Sequence, residues 1–253
     1  YAASSGCFWR RCTFCPEKSE QNPYRQIPPA RVVTDLQQLV STTRPVLIHL
    51  LDNAISPATL QALATNPPGR PWYGFARIDW TLADPAFCRQ LRAGGCAMLK
   101  LGLESGDQQL LDQLDKGIDL DLAARVLASL AGAGIKSYVY LLFGTPGESR
   151  AEAERTQAFV KAHAERITFL NLAIFNLPIN SPEQTGLVIE DFYEGDLAIY
   201  RNFVHPRGWN RREVRRFLDE SFKREPDIAT ILARDPPFFT SNHAAFFDHS
   251  PVR

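Results

Sequence analysis

The sequence has few cysteines and no excess of charge of either sign. Five cysteines stand among 253 residues, and 28 Lys and Arg balance 28 Asp and Glu. Because an odd number of cysteines is a poor disulfide framework, we expect a reducing compartment and a cytoplasmic location. Zero net charge argues against broad electrostatic attraction to nucleic acid or to an anionic membrane.

Long hydrophobic runs and targeting signals are also missing. No apolar stretch reaches the roughly 20 residues that cross a bilayer, and no signal peptide is visible. We therefore expect neither a membrane nor a nucleic acid as partner. The chain begins at Tyr1 rather than at Met, so we expect a further segment to precede it. The hydrophobic fraction of 45% is that of a globular protein with a packed core.

Strand-like and helix-like segments alternate over residues 1 to 175. The runs "PVLIHLLD" and "KSYVYLLFG" have strand length, and segments such as "SPATLQALA" between them have helical spacing and a cap, Ser56. About six such units predict an α/β fold with a parallel sheet, either an open sheet or a partial barrel. Ligands of both architectures bind at the C-terminal ends of the strands.

Residues 176 to 253 break this alternation. They hold Pro-rich turns, one predicted helix over 210 to 224, and the aromatic tail "DPPFFTSNHAAFFDHS". We expect this part to pack on the sheet or to cap its mouth. His205 and His243 lie here and are not placed in the site.

Three of the five cysteines, Cys7, Cys12 and Cys15, follow the spacing C-x4-C-x2-C. Thiolates this close on one loop are typical of a metal or iron–sulfur site. A structural zinc ion or a simple electron-transfer cluster takes four ligands, so either would need a fourth from elsewhere. A cubane cluster on three cysteines instead leaves one iron open for catalysis. Cys88 and Cys96 are interpreted as core thiols.

The segment "SSGCFWRRCTFCPEK" resembles the cluster loop of radical S-adenosylmethionine (radical SAM) enzymes, including the aromatic Phe14 before the last cysteine. The "GLESG" and "KG" of residues 75 to 117 and the "LLFGTPGES" of 141 to 149 are similar to later family motifs, in the same order. The resemblance covers about residues 1 to 180. The first cysteine interval is one residue longer than the usual C-x3-C-x2-C, as in some members with a cobalamin-binding domain upstream.

The resemblance implies a partial (β/α)6 barrel of parallel strands over residues 1 to 180 and a mixed helix and loop extension over 181 to 253. It implies that Cys7, Cys12 and Cys15 bind a [4Fe–4S] cluster whose fourth iron binds S-adenosylmethionine. Reductive cleavage then yields a 5′-deoxyadenosyl radical, which abstracts hydrogen from an unknown substrate. The implied partners are that substrate and an electron donor such as a flavodoxin or ferredoxin. Cobalamin, held by an N-terminal segment absent from this chain, would serve methylation or rearrangement.

Residues at the strand ends are candidates for contacts to S-adenosylmethionine. Glu104 would bind its ammonium or ribose hydroxyls, or instead cap the next helix. Arg77 would pair with the methionyl carboxylate, or instead with Asp79. Asp52 stands where many members have Gly-Gly-Glu. The other candidate cofactor contacts are Phe14, Gly102, Ser105, Gly144 and Pro146.

Three further interpretations complete the sequence picture. Glu148 is expected in the first turn of the helix that follows the "GTPG" turn, where an acid suits the helix dipole. His49 is interpreted as a core residue. The alternative functions are a non-catalytic iron–sulfur electron-transfer module and a zinc-stabilised binding protein, neither of which has a use for Glu104 or the "GTPG" turn.

Overall fold

The computed structural model describes residues 1–190 and 199–235. Its first elements enclose the cysteine loop: β1 (Ser4–Ser5) and β2 (Arg25–Gln26) pair antiparallel, and the short helix α1 (Pro16–Ser19) lies between them. Most of the loop therefore has no regular structure of its own, and its position depends on contacts with other parts of the chain.

A parallel sheet of five strands forms the centre of the molecule. The strands are β3 (Ile48–Ile55), β4 (Trp72–Ala76), β5 (Cys96–Glu104), β6 (Lys136–Phe143) and β7 (Phe169–Ile174), and they neighbour one another in chain order. The central strand β5 is buried along nearly its whole length, as expected of a parallel strand covered on both faces. The α/β fold with a parallel sheet is thus confirmed.

The first of the six expected strands is reduced to a single bridging residue. The Leu51 N–H donates to the Tyr1 carbonyl at 2.8 Å, and the Tyr1 amine donates to the His49 carbonyl at 3.0 Å, so Tyr1 continues the parallel pairing beside β3. The pairing stops two residues later because the Ala3 N–H donates to the Asp52 side chain instead of to a backbone carbonyl, at 3.0 Å.

Helices connect the strands and cover one face of the sheet. They are α2 (Pro29–Thr43), α3 (Pro57–Thr65), α4 (Pro85–Ala93), α5 (Gln108–Gln113), α6 (Leu120–Ala133) and α7 (Arg150–Ala162). Ser56 caps α3 as predicted, and Asp84, Asp107 and Asp119 cap the next three helices. Among the described residues, no helix combines the length and the hydropathy that a bilayer crossing requires.

The part after the parallel sheet packs against it. A small antiparallel sheet of β8 (Leu177–Pro178), β9 (Val188–Glu190) and β10 (Tyr200–Val204) leads to helices α8 (Arg211–Glu220) and α9 (Pro226–Leu232). Phe222 lies edge-on to Phe143 of β6 with ring centres 5.4 Å apart, and both belong to one continuous core. The helix expected over 210 to 224 ends at Glu220. Most of the aromatic tail, including His243, lies outside the described residues.

The segment from His205 to Trp209 holds the "GTPG" turn. His205 Nε2 lies 2.9 Å from the Thr145 carbonyl, and its Nδ1 accepts backbone N–H groups, so Nε2 is the donor. Arg207 donates to the Gly147 carbonyl at 2.7 Å. The end of β6 is thereby fixed to the part of the chain that follows the sheet.

Glu148 corrects one expectation. Ser149, not Glu148, begins helix α7 as its N-cap, and the Glu148 carboxyl is fully buried. It accepts the Gly144 N–H and, at 3.0 Å, the indole N–H of Trp209. Burial raises the pKa of Glu148 to about 8, although these two hydrogen bonds act in the opposite direction. The Glu148 side chain therefore connects Gly144 and Trp209 inside the protein and does not place a charge at the start of the helix.

This raised pKa predicts a pH-dependent stability. An acid with a higher pKa in the folded protein than its ordinary 4.5 binds its proton more tightly when folded, so stability falls as the pH rises from about 4.5 to about 8. We expect Glu148→Gln, which carries no charge, to lose this dependence. We expect the Tm of the variant, measured by thermal unfolding, to rise relative to that of the wild type by at least about 3 °C between pH 5 and pH 8. A Tm difference that is the same at both pH values would contradict the assignment.

Candidate active site at the cysteine loop

A cavity of about 360 Å³ lies where the C-terminal ends of the central strands meet the cysteine loop. The loop supplies the three cysteines and Phe14, and the strands and their following loops supply the opposite wall. The lining residues are Cys7, Cys12, Phe14, Cys15, Pro16, Glu17, Asn53, Ala54, Phe75, Ala76, Arg77, Gly102, Glu104, Lys116 and Tyr140.

The cysteine loop rests on the turn Leu114–Gly117, which follows helix α5. The Thr13 N–H donates to the Leu114 carbonyl at 3.0 Å, and the Trp9 indole donates to the Asp115 carbonyl at 2.9 Å. Gly117 lies directly under the indole, where a Cβ atom would come within 2.2 Å of a ring carbon. Its φ of +62° also favours glycine. The close contact with Trp9 and the positive φ thus explain why glycine follows Lys116 in the "KG" pair of the sequence.

Glu104 and Lys116 form an ion pair in the cavity wall. Their charged atoms are 2.8 Å apart, and only 12% and 10% of the two side chains are exposed. The pair sits above Gly102, where a Cβ atom would lie 2.5 Å from the Glu104 carboxylate and 2.9 Å from the Lys116 nitrogen. Lys116 also lies 5.6 Å from the centre of the Phe14 ring. These four residues therefore form one compact group.

Arg77 reaches the cavity from the end of β4. It donates to the Lys116 carbonyl at 2.6 Å and lies over the Trp9 ring at 4.0 Å. The alternative pairing with Asp79 is not formed, because the Asp79 carboxylate accepts the N–H groups of Thr81 and Leu82. Arg77 therefore remains a cation of the cavity wall.

The thiols of the loop are not paired with one another; Cys12 is buried, and Cys7 and Cys15 are half-buried. Burial raises the pKa of Cys12 and of Cys15, and the neighbouring cations Lys116 and Arg77 lower that of Cys12. The pKa of Cys12 remains above its usual value, so the two cations offset only part of the cost of burying a thiolate, the form that binds metal.

The grouping of the thiols bears on what they bind. Within residues 1–190 and 199–235, no three His, Cys, Asp or Glu side chains lie close enough together to share one metal ion. A single zinc ion draws sulfur ligands to within about 2.3 Å of one point. A cubane cluster instead binds its cysteines at separate irons. All three cysteines of the loop line the one cavity.

Four of the sequence-predicted cofactor residues lie away from this cavity. The Ser105 hydroxyl is 3.1 Å from that of Thr156 and accepts the Asp107 N–H. Asp52 accepts from Ala3 and Ser4 and so holds the chain just before the cysteine loop. Gly144 lines a separate small cavity beside His205 and Trp209, and Pro146 lines neither.

Sequence neighbours at two strand ends differ in whether they line the cavity. Glu104 and Asn53 line the cavity, while their neighbours Ser105 and Asp52 do not. Sequence reasoning missed Asn53, Trp9, Lys116 and the wall residues Phe75 and Tyr140. Phe75 stands two residues before the predicted Arg77, but Ala76 between them also lines the cavity, so strand alternation gave no signal for Phe75.

Comparison with known proteins gives the class. The family model described as the radical SAM superfamily matches residues 1–160. The chain therefore belongs to the radical SAM superfamily. A sequence search of curated proteins finds no match.

Solved structures share the fold at low sequence identity. One is the radical S-adenosylmethionine methyltransferase TsrM from Kitasatospora setae, with cobalamin and a [4Fe–4S] cluster bound: TM-score 0.61, 21% identity, covering 77% of this chain and 42% of that one. A second is the cobalamin-dependent S-adenosylmethionine radical enzyme OxsB, with a TM-score of 0.70 and 14% identity; the match covers 87% of this chain and 41% of that one. A third is methylornithine synthase, PylB, with a TM-score of 0.53 and 15% identity; the match covers 78% of this chain and 57% of that one. The chain thus spans less than two thirds of the length of each.

The buried ion pair predicts an asymmetric response to mutation. Lys116→Met leaves the Glu104 carboxylate unpaired in the cavity wall, so we expect a loss of about 3 kcal/mol in the free energy of unfolding, measured with urea. Adding Glu104→Gln should restore much of it. The control, Arg11→Met, breaks a pair with Asp115 in which the Arg11 side chain is 61% exposed, and should cost less than about 1 kcal/mol. Equal losses in the two single variants would contradict the burial argument.

Proposed function

We propose that this protein is a radical SAM enzyme in which Cys7, Cys12 and Cys15 bind a [4Fe–4S] cluster. The observation that carries the proposal is that the three cysteines share one cavity with the Glu104–Lys116 pair and with Arg77. The cavity thus combines ligands for a cluster with charges of both signs for a zwitterionic cofactor.

The donor set fits a cluster with one open position. Of the described residues that line the cavity, none is a histidine or a fourth cysteine. A cubane bound here would keep one iron free of protein ligands. When bound, the cluster and S-adenosylmethionine supply the one-electron cleavage of a carbon–sulfur bond that gives a 5′-deoxyadenosyl radical.

The charged residues of the wall match the methionyl part of the cofactor. Glu104 accepts from its ammonium group or from the ribose hydroxyls, and Arg77 and Lys116 are the cations available to its carboxylate. Lys116 already pairs with Glu104. Binding of S-adenosylmethionine therefore replaces this ion pair with two, one between Glu104 and the ammonium group and one between a cation of the wall and the carboxylate. The cavity then need not bury an unpaired charge.

The apolar residues of the wall serve a second purpose. Phe75 and Tyr140 have ring centres 4.9 Å apart, and Ala54 and Ala76 line the wall with them. Phe14 closes the side of the cysteine loop. Such a wall excludes water from the reacting groups, which protects a reactive intermediate from side reactions.

The reaction class proposed is cobalamin-dependent methylation or rearrangement. Two features support it: the longer first cysteine interval, and the fold shared with TsrM, which was solved with cobalamin bound, and with the cobalamin-dependent enzyme OxsB. Cobalamin would come from a segment outside this chain. Five free thiols support a reducing compartment such as the cytoplasm.

The proposal predicts the metal content. Anaerobic reconstitution with iron and sulfide should load about four of each per chain. Replacing Cys7, Cys12 or Cys15 by Ala should remove most of this iron, whereas Cys88→Ala, a change at a fully buried thiol outside the cavity, should not. Tightly bound zinc without sulfide, or spectroscopic evidence for a fourth protein ligand, would overturn the proposal.

The cofactor role of Glu104 gives a second test. Dithionite and S-adenosylmethionine should release 5′-deoxyadenosine from the loaded protein. Glu104→Gln should weaken S-adenosylmethionine binding about tenfold, because it loses a charge-assisted hydrogen bond. Glu154→Gln, at a surface position, is the matched control. Unchanged affinity in a folded, cluster-loaded Glu104→Gln variant would exclude the assigned contact.

A further inference from the structure

Glu17 supplies the second carboxyl group of the cavity wall, and it differs from Glu104 in having no partner. Glu104 pairs with Lys116 at 2.8 Å. The Glu17 carboxyl forms no hydrogen bond and no ion pair with any residue of the ranges 1–190 and 199–235, although its Oε2 atom is fully buried. A buried carboxyl oxygen without a partner is costly, so we expect a ligand of the cavity to compensate for it.

The two oxygens of this carboxyl group have different surroundings. Only Oε2 is fully enclosed by protein, while the residue as a whole is half-buried and lines the cavity. Because the negative charge of a carboxylate is shared by both oxygens, a cation that contacts the open Oε1 also offsets the charge on the enclosed Oε2. The group is thus accessible to a ligand even though one of its oxygens is buried.

The backbone holds Glu17 on the side of the cavity that the cysteine loop forms. Glu17 is the second residue of α1, and its carbonyl accepts the Asn22 N–H at 3.1 Å. The cations of the cavity, Arg77 and Lys116, belong to the opposite wall. Glu17 therefore provides a second anionic position, separate from the Glu104–Lys116 pair.

Two ordinary structural roles are open to an acid at the start of α1, and neither is formed. Glu17 could accept a backbone N–H of the helix, but no residue in the described part of the chain donates to its carboxyl group. It could also pair with the next residue, Lys18, but the Lys18 ammonium group donates to the Arg11 carbonyl at 2.9 Å instead. The position of Glu17 is thus better explained by a ligand than by the helix.

The rest of the wall limits the chemistry of that ligand. The contacts proposed above leave the cofactor ammonium with Glu104 and the cofactor carboxylate with a cation of the opposite wall. A cation that binds Glu17 therefore belongs to a different molecule. Phe14, Phe75 and Tyr140 supply aromatic surface to the same cavity, which suits an apolar body attached to the cation.

We propose that Glu17 binds a positively charged amino group of the substrate, which is an amine with an apolar body. This inference rests on the proposed function, since it needs the cofactor to occupy the contacts with Glu104 and the opposite wall. An ammonium group has three N–H donors and no acceptor, so it matches a carboxylate and forms a charge-assisted hydrogen bond with it. The contact is one of binding and orientation, and no bond is formed or broken at Glu17.

The test uses 2-phenylethylamine as a probe and 2-phenylethanol as its neutral match. The two compounds have the same apolar body, but only the amine is charged at neutral pH. Their dissociation constants are measured by ligand-detected NMR titration of the cluster-loaded protein with S-adenosylmethionine bound and no reductant present. The variant is Glu17→Gln, and the matched control is Glu20→Gln, which changes an exposed acid of the same segment outside the cavity.

We expect the wild type to bind the amine at least about tenfold more tightly than the alcohol, because only the amine forms the charge-assisted hydrogen bond. Glu17→Gln should lose most of this preference, and Glu20→Gln should keep it. The affinity for S-adenosylmethionine should change less than about twofold in Glu17→Gln, in contrast to the loss expected for Glu104→Gln.

Three results would overturn the inference: a wild type that binds the amine no better than the alcohol, a Glu17→Gln variant that keeps the preference, or a Glu17→Gln variant that binds S-adenosylmethionine about tenfold more weakly, which would assign Glu17 to the cofactor. The first comparison needs no variant, so it decides the matter even if Glu17→Gln does not load the cluster. Release of 5′-deoxyadenosine with dithionite, without any amine, tests the proposed function by itself. If it occurs and the wild type shows no preference for the amine, only this inference is wrong. If none is released, the proposed function and this inference fail together.

Discussion

The candidate site depends on the contact between the cysteine loop and the turn Leu114–Gly117. The loop has little secondary structure, so its shape comes from hydrogen bonds that Trp9 and Thr13 donate to carbonyls of the turn. The absence of a side chain at Gly117 allows the Trp9 indole to approach closely. The same turn supplies Lys116 to the ion pair with Glu104. A short stretch of backbone thus places the thiols and the charged wall relative to each other.

Charge balance in the cavity follows from this arrangement. Two cations, the carboxyl groups of Glu104 and Glu17 and three thiols line a partly buried space. Burial disfavours the thiolate of Cys12, and Lys116 and Arg77 oppose that effect. Because a buried unpaired charge is costly, an ion pair that can be exchanged for contacts with a zwitterionic ligand is an economical way to keep both charges in the cavity.

The segment that follows the sheet fixes the turn at the end of β6. Its residues His205, Arg207 and Trp209 bind three members of the turn at the end of β6, and the buried carboxyl of Glu148 lies between the two. The turn therefore cannot change shape without disturbing this later segment.

Local sequence pattern was sufficient for the main elements and for the family. The alternation of apolar runs and capped helical segments predicted the parallel α/β fold, and Ser56 marked the start of α3 as expected. Three cysteines on a short loop indicated a metal or cluster site, and the order of the later motifs indicated the family. These signals need only spacing along the chain, since helix caps, strand period and ligand spacing are short-range properties.

Only the tertiary structure decided which side chains share the cavity. Trp9 and Asp115 are 106 positions apart, and Ser105 and Thr156 are 51 apart, so no local pattern could show that the first pair supports the loop or that the second turns Ser105 away. Neither could it show which residues at the strand ends line the cavity, since Asn53 does and its neighbour Asp52 does not. The sequence by itself therefore determined the kinds of residue at the strand ends. The packing of the loop on the turn decided which of them meet.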